Sequence, residues 1–232
     1  LASKEIAVTL PALLILASVV LVRRDHNGAD EPLRAVAARL RDEAPLWVML
    51  AAVLAAYLAL RVDVLRTLKG EVAAPDFIGL TTPERVYTSM SLWPEYVRLL
   101  LFPLDLEADY GPAVLFPARG IDPGVIVGSL LLAALLAAGV AALARRPVVT
   151  LGIGWLLISL LPVSNLFFTT GILLAERTLY LPSIGLAILA GAATTEVLSR
   201  GRHRRAWAAA AVTVVVAFAV RTSVRHPVWD RT

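Results

Sequence analysis

Cysteine is absent from the 232 residues, which excludes disulfides and Cys-ligated metals and says nothing about compartment. Histidine is nearly as scarce. His26, His203 and His226 are scattered along the chain, which argues against a His-ligated metal. Charge is thin too: Asp, Glu, Lys and Arg make up 17% of the residues, against roughly a quarter in ordinary soluble domains. Too few polar groups are left to cover the surface of a soluble globule. No run shows sustained apolar/polar alternation, so a β-barrel is excluded. P-loop, dinucleotide-binding, nucleophile-elbow and zincin motifs are all missing, and no internal repeat is found.

What the chain has instead is apolar residues in blocks. They form 58% of it and give a mean hydropathy of +0.74. Disorder, collagen and a nucleic-acid-binding tail are thereby excluded, and an all-α polytopic membrane bundle is expected. Six spans can be read: Ile6–Val22, Leu46–Leu60, Gly124–Ala144, Val148–Pro162, Leu179–Thr195 and Ala206–Val220. At about 1.5 Å per residue the shorter ones cover only about 22 Å, so polar flanks, snorkelling Arg or local thinning must bring them across. The net charge of +4 is no nucleic-acid signal, because its clusters sit beside the spans, where basic residues set topology. The chain opens on Leu1, without an initiator Met or a signal peptide, and stops inside a polar segment. It is therefore expected to be a piece of a longer protein.

Three short loops hold half of the 22 basic residues: Arg23 to Arg41, Arg145–Arg146 and Arg200 to Arg205. All three fall on one side of a six-span arrangement, which predicts that side to be cytoplasmic. The start of the chain, the connection from Arg61 to Pro123, the segment from Asn165 to Thr178 and the C-terminal tail then face outward. The connection is too long and too patterned for a plain loop. Glu84–Leu101 reads as an amphipathic helix at the interface. Trp93, Tyr96, Val97, Leu100 and Leu101 form its lipid- or bundle-facing stripe, Glu84, Arg85, Glu95 and Arg98 its wet side, and Trp93 is expected at headgroup depth.

Candidate chemistry lies at the span ends. Lys4 and Glu5 open the first span: they can snorkel and complement a helix N-terminus, or supply a phosphate-binding cation and a carboxylate for acid–base work. Glu176 and Arg177 form an ionic pair in apolar sequence, near the breakers Pro162, Gly171 and Pro182. Such a pair must face protein interior, a partner or water. It either pins two helices together or lets Arg177 grip an anionic oxygen with its planar fork, which suits a phosphate. Asp109, with Asp105 and Glu107, is a solvated acidic run or a contact for a cation or substrate hydroxyls. Arg85 and Tyr87 are equally open, since Tyr at an interface is usually an anchor.

Together these strings resemble one family. They are Ser3-Lys4-Glu5 before a span containing Thr9-Leu10-Pro11, a Trp-x-x-Tyr-x-Arg-Leu-Leu-Leu-x-Pro stretch from Trp93 to Pro103, and Asp109-Tyr110. With them go Leu161-Pro-Val-Ser-Asn-Leu-Phe167 and Ala175-Glu-Arg-Thr-Leu-Tyr-Leu-Pro-Ser-Ile-Gly185, of which the Ala-Glu-Arg-x-Leu-Tyr-Leu-Pro-Ser string is the specific one. Nearly the whole chain looks like the membrane domain of the transmembrane and tetratricopeptide-repeat O-mannosyltransferases and their bacterial relatives. Residues 1–220 would be the C-terminal part of that domain. Residues 221–232, from Arg221 to Trp229 and beyond, resemble the start of the linker into a tetratricopeptide-repeat domain in the same full-length chain.

The resemblance implies a GT-C-type glycosyltransferase in a bacterial inner membrane or its equivalent. It would move a mannose-like sugar from a polyprenyl-phosphate donor to a hydroxyl of an acceptor protein on the extracytoplasmic face. By motif position, Glu5, Asp109 and Glu176 are the candidate catalytic carboxylates, and Lys4, Arg177 and Tyr180 the candidate substrate-binding residues. The acidic motif that such enzymes carry in their first outward loop is expected upstream of Leu1. No metal ligands are assigned, and the one cofactor the resemblance leaves open is a divalent cation. Either cationic groups or a divalent cation would stabilise the departing polyprenyl phosphate. The competing readings are a non-catalytic membrane scaffold for a periplasmic repeat domain and, less favoured, a lipid-linked-sugar transporter, which would place polar residues at mid-span.

Overall fold

The computed structural model describes residues 6–25, 32–65, 77–103, 110, 116–143, 145–167, 172–199 and 204–229. Among them every regular element is helical. A 3-10 turn, Ile6–Thr9, leads into α1 (Leu10–Asp25), followed by α2 (Pro32–Asp42), α3 (Ala44–Leu65), α4 (Thr82–Ser91) and α5 (Trp93–Leu101). Then come α6 (Pro123–Ala142) and α7 (Pro147–Leu160), a second 3-10 turn at Glu176–Leu179, α8 (Tyr180–Ser199) and α9 (Arg204–Trp229). The chain divides into two compact units, Leu1–Ile188 and Leu189–Thr232.

By length and composition three stretches can cross a membrane: Pro123–Ala142, Glu176–Ser199 and Arg205–Val224. A fourth results if Val36–Asp42 and Ala44–Leu60, bent by 69°, count as one broken span. The first and fourth expected spans are shorter apolar helices, Leu10–Val20 and Pro147–Leu160. The 14 residues of α7 cover only about 21 Å. In the second unit, α9 continues unbroken through Arg221 to Trp229.

The first unit is built round α7. Helix α1 packs along α7, α6 along α7, and α4 and α5 along α6. Small residues allow the close crossings. A Cβ on Gly185 of α8 would lie 2.6 Å from the carbonyl oxygen of Gly152 in α7, and one on Gly128 of α6 would lie 1.8 Å from that of Met90 at the end of α4. Polar side chains tie α7 to both of its neighbours: Thr150 Oγ1 donates to the Gly139 carbonyl of α6 at 2.9 Å, and Trp155 Nε1 to the Leu181 carbonyl of α8 at 3.0 Å.

The expected amphipathic helix is two helices that meet at Leu92. Pro94 has no N–H to offer the carbonyl one turn back, so the ladder restarts, with Tyr96 N–H bonding the Leu92 carbonyl at 3.0 Å. Of the two settings expected for its stripe, Trp93 takes the bundle-facing one. It is 3% exposed, edge-on to Tyr96 with ring centroids 6.1 Å apart, in a cluster with Leu92, Leu99, Leu156, Leu160, Leu173 and Leu174. The long connection therefore supplies half of the core at the end of the bundle where α6 begins and α7 ends.

Candidate functional site

That end of the bundle holds the Glu-Arg motif. After α7 the chain turns through Leu161–Phe167 and is caught by Asn165. Asn165 is fully buried with a left-handed φ of 57°, and its Nδ2 donates to the carbonyls of Ile172 and Leu173 at 3.0 and 3.1 Å. Asn tolerates this backbone region better than most L residues. Tyr96 Oη donates to the Val163 carbonyl at 3.3 Å, and burial in the core pushes its phenol well above the ordinary tyrosine range. The segment from Ile172 to Ala175 is thereby fixed before the 3-10 turn starts, and Thr178 Oγ1 closes that turn on the Ala175 carbonyl at 2.6 Å.

Against this segment lies Tyr110. Its N–H bonds the Leu174 carbonyl at 3.0 Å, its ring is buried, and its hydroxyl donates to Glu176 Oε1 at 3.3 Å. Glu176 is half-buried and Arg177 is exposed. The expected ionic pair between them does not form, and among the described residues Arg177 has no hydrogen-bond or ion-pair partner. Neighbouring side chains on a helical turn diverge, so the carboxylate turns to Tyr110 while the guanidinium stands free. Tyr180, 78% exposed, follows one turn later. The arrangement offers a buried phenol holding a carboxylate, with an uncompensated cation beside it.

The structure thus describes Glu176 and Arg177 on one short turn and Tyr180 at the start of the helix that follows it. Lys4, Glu5 and Asp109 lie outside the described residues, although Asp109 is bonded directly to Tyr110. Among the described residues no three His, Asp or Glu side chains gather. Tyr110 and Asn165 do the positioning, and neither stands out as a chemical group from sequence. Only their places in the Asp-Tyr and Pro-Val-Ser-Asn strings marked them.

The wet side of α4 and α5 is largely engaged. Glu95 takes Arg98 Nε at 2.9 Å, and Glu84 accepts from the N–H and the hydroxyl of Thr81 at 2.8 and 2.7 Å. Those two bonds, with a smaller contribution from Arg119, hold the Glu84 carboxyl below its ordinary value. Thr88, one turn on, accepts from the N–H of Ala118 at 3.0 Å, which ties the approach to α6 onto α4. Between α1, α6 and α7 runs a side-opening groove of about 410 Å³, lined by aliphatic residues such as Leu16, Leu136, Val140 and Leu157.

Over part of its length the chain is similar to curated protein O-mannosyl-transferases of the TMTC type. It is 56% identical to human TMTC4 over 45 residues, 19% of this chain, and 36% identical to mouse TMTC4 over 85 residues, 37% of it. With Tmtc3 of Drosophila melanogaster it shares 32% identity over 158 residues, 64% of the chain. The matched part amounts to 6, 12 and 17% of those relatives' lengths. No family model matches the chain, and no solved structure does.

Proposed function

We propose that this chain is the later part of a GT-C-like membrane domain that moves a mannose-like sugar from a polyprenyl-phosphate donor to a protein hydroxyl. In this reading the six apolar segments all cross the membrane, with α1 and α7 helped by flanking Arg and local thinning. The end bearing Tyr110, Glu176 and Arg177 faces out of the cytoplasm, and a tetratricopeptide-repeat domain follows in the full-length protein. The observation that carries the reading is Arg177, exposed and without a carboxylate, on the turn where Tyr110 holds Glu176. The likeness to proteins named O-mannosyl-transferases supports it.

The reaction is a displacement at the anomeric carbon. A carboxylate takes the proton of the acceptor hydroxyl, and that oxygen bonds the anomeric carbon. The bond from carbon to the phosphate oxygen breaks, and its electron pair leaves with the polyprenyl phosphate. Arg177 would receive the developing negative charge through two parallel N–H donors. Glu176, Asp109 and Glu5 are the carboxylates offered for the proton, while Lys4 and Tyr180 would complete the donor site.

The test is sugar transfer by the full-length protein from a polyprenyl-phosphate mannose donor. Arg177→Lys keeps the charge but loses the planar fork, so transfer should fall roughly 30- to 1000-fold, or about 2–4 kcal/mol in the barrier. A monodisperse Arg177→Lys or Glu176→Gln protein with unchanged transfer rejects the site. Absence of transfer by the wild type from any such donor favours the scaffold instead.

A further inference from the structure

A second arginine at the same end of the bundle lacks a carboxylate partner among the described residues. Arg85 closes the first turn of α4, where its Nη1 donates to the Phe167 carbonyl in a long bond of 3.4 Å. Among the described residues its buried Nε has no hydrogen-bond partner, and the guanidinium has no carboxylate. Two other arginines give the contrast: Arg98 is paired with Glu95 and Arg39 with Glu43. The adjacent carboxylate, Glu84, is committed to Thr81.

This cation is badly placed for stability alone. It sits near the positive end of the α4 dipole, which favours anions and disfavours cations. A buried N–H left unbonded costs more than the bond from Nη1 to a carbonyl returns. Turning the side chain outward would free Nε and Nη2, the edge of the guanidinium that takes an anion in two parallel bonds. Phe167, which Arg85 touches, closes the same turn that Asn165 clamps to Ile172 and Leu173, just ahead of Arg177. Arg85 therefore reaches the segment that precedes Arg177 in the chain.

We propose that Arg85 is a second phosphate-binding residue, swinging from a resting rotamer to take a non-bridging oxygen of the polyprenyl-phosphate donor. The inference rests on the glycosyltransferase reading above. The phosphate of a bulk phospholipid headgroup has the same chemistry, and the measurement separates the two.

Full-length protein in lipid nanodiscs would be titrated with polyprenyl phosphate in phosphatidylcholine alone, then with phosphatidylglycerol as competitor. Arg85→Met keeps the apolar stem and removes every donor; Arg85→Lys keeps the charge. The expected result is a rise in Kd of roughly 10- to 100-fold for Arg85→Met. Arg85→Lys should recover only part of that, and the thermal midpoint of the ligand-free protein should stay close to wild type. Unchanged Kd in both variants would overturn the proposal and leave Arg85 as a tether for Phe167. So would affinity in the wild type that phosphatidylglycerol abolishes, since the occupant is then a bulk headgroup. Failure of the wild type to bind polyprenyl phosphate removes the glycosyltransferase reading itself, whereas wild-type binding with unaltered variants removes only Arg85. If Arg85→Met does not fold, the Kd of Arg85→Lys decides: a value equal to wild type overturns the proposal.

Discussion

Tyr110 and Glu176, 66 residues apart in sequence, meet through a 3.3 Å hydrogen bond from the phenol to Oε1. The phenol ring is part of the core, so it cannot follow the carboxylate if the turn moves. Glu176 is held on the side away from Arg177, which leaves the guanidinium free for an external anion.

Tyr110→Phe removes this bond and keeps the ring. Loss of about 1 kcal/mol of orientation should slow transfer roughly fivefold. The thermal midpoint should move little, because the buried ring area is unchanged. Rates and melting measured on the same preparation check this; an unchanged rate would show that the bond does not matter to transfer.

Asn165 combines a left-handed backbone with two donated bonds, and two substitutions separate them. Asn165→Gly keeps the backbone preference and loses the bonds, while Asn165→Ala loses both. We expect Asn165→Ala to cost about 2–3 kcal/mol and Asn165→Gly about 1 kcal/mol less, read from thermal midpoints in detergent. Equal costs would mean that the backbone conformation contributes nothing.

The contact of α4 with α6 depends on Gly128. A methyl there would lie 1.8 Å from the Met90 carbonyl oxygen, so Gly128→Ala must push the helices apart. A destabilisation of about 1–3 kcal/mol is expected. Gly191, with nothing within 4 Å of its Cβ position, is the control. Gly191→Ala should be neutral or stabilising by about 0.5–1 kcal/mol. Thermal melting of both variants gives the comparison.

The absence of cysteine makes orientation directly testable. Single cysteines at Arg41 and Arg145, both exposed, should be shielded from an impermeant thiol reagent in intact cells. Cysteines at Phe116 and Ile121, 80% and 70% exposed, should be labelled. The opposite pattern would place Glu176 and Arg177 on the cytoplasmic side and end the proposed donor chemistry.

The sequence alone determined the helical class and the positions of the apolar helices, because blocks of Ala, Leu, Val and Ile separated by Arg-rich joints have no other stable arrangement in a membrane. It also marked the Ala-Glu-Arg turn, since an ionic residue in apolar surroundings has to be accommodated. Only the tertiary structure decided which apolar faces meet protein. In a membrane chain lipid and core are equally apolar, so the pattern around Trp93 reads the same for a headgroup anchor as for the buried, 3% exposed residue that it is. Pro94 carried a signal for the split at Leu92 that the single-helix reading did not use, whereas the close approach of Gly128 to Met90 depends on how α4 lies across α6. The partners at the site were beyond reach for the same reason. Glu176 sits beside Arg177 in sequence, yet its hydrogen bond comes from Tyr110, and a contact between segments so far apart exists only once the connection has folded onto the end of α7.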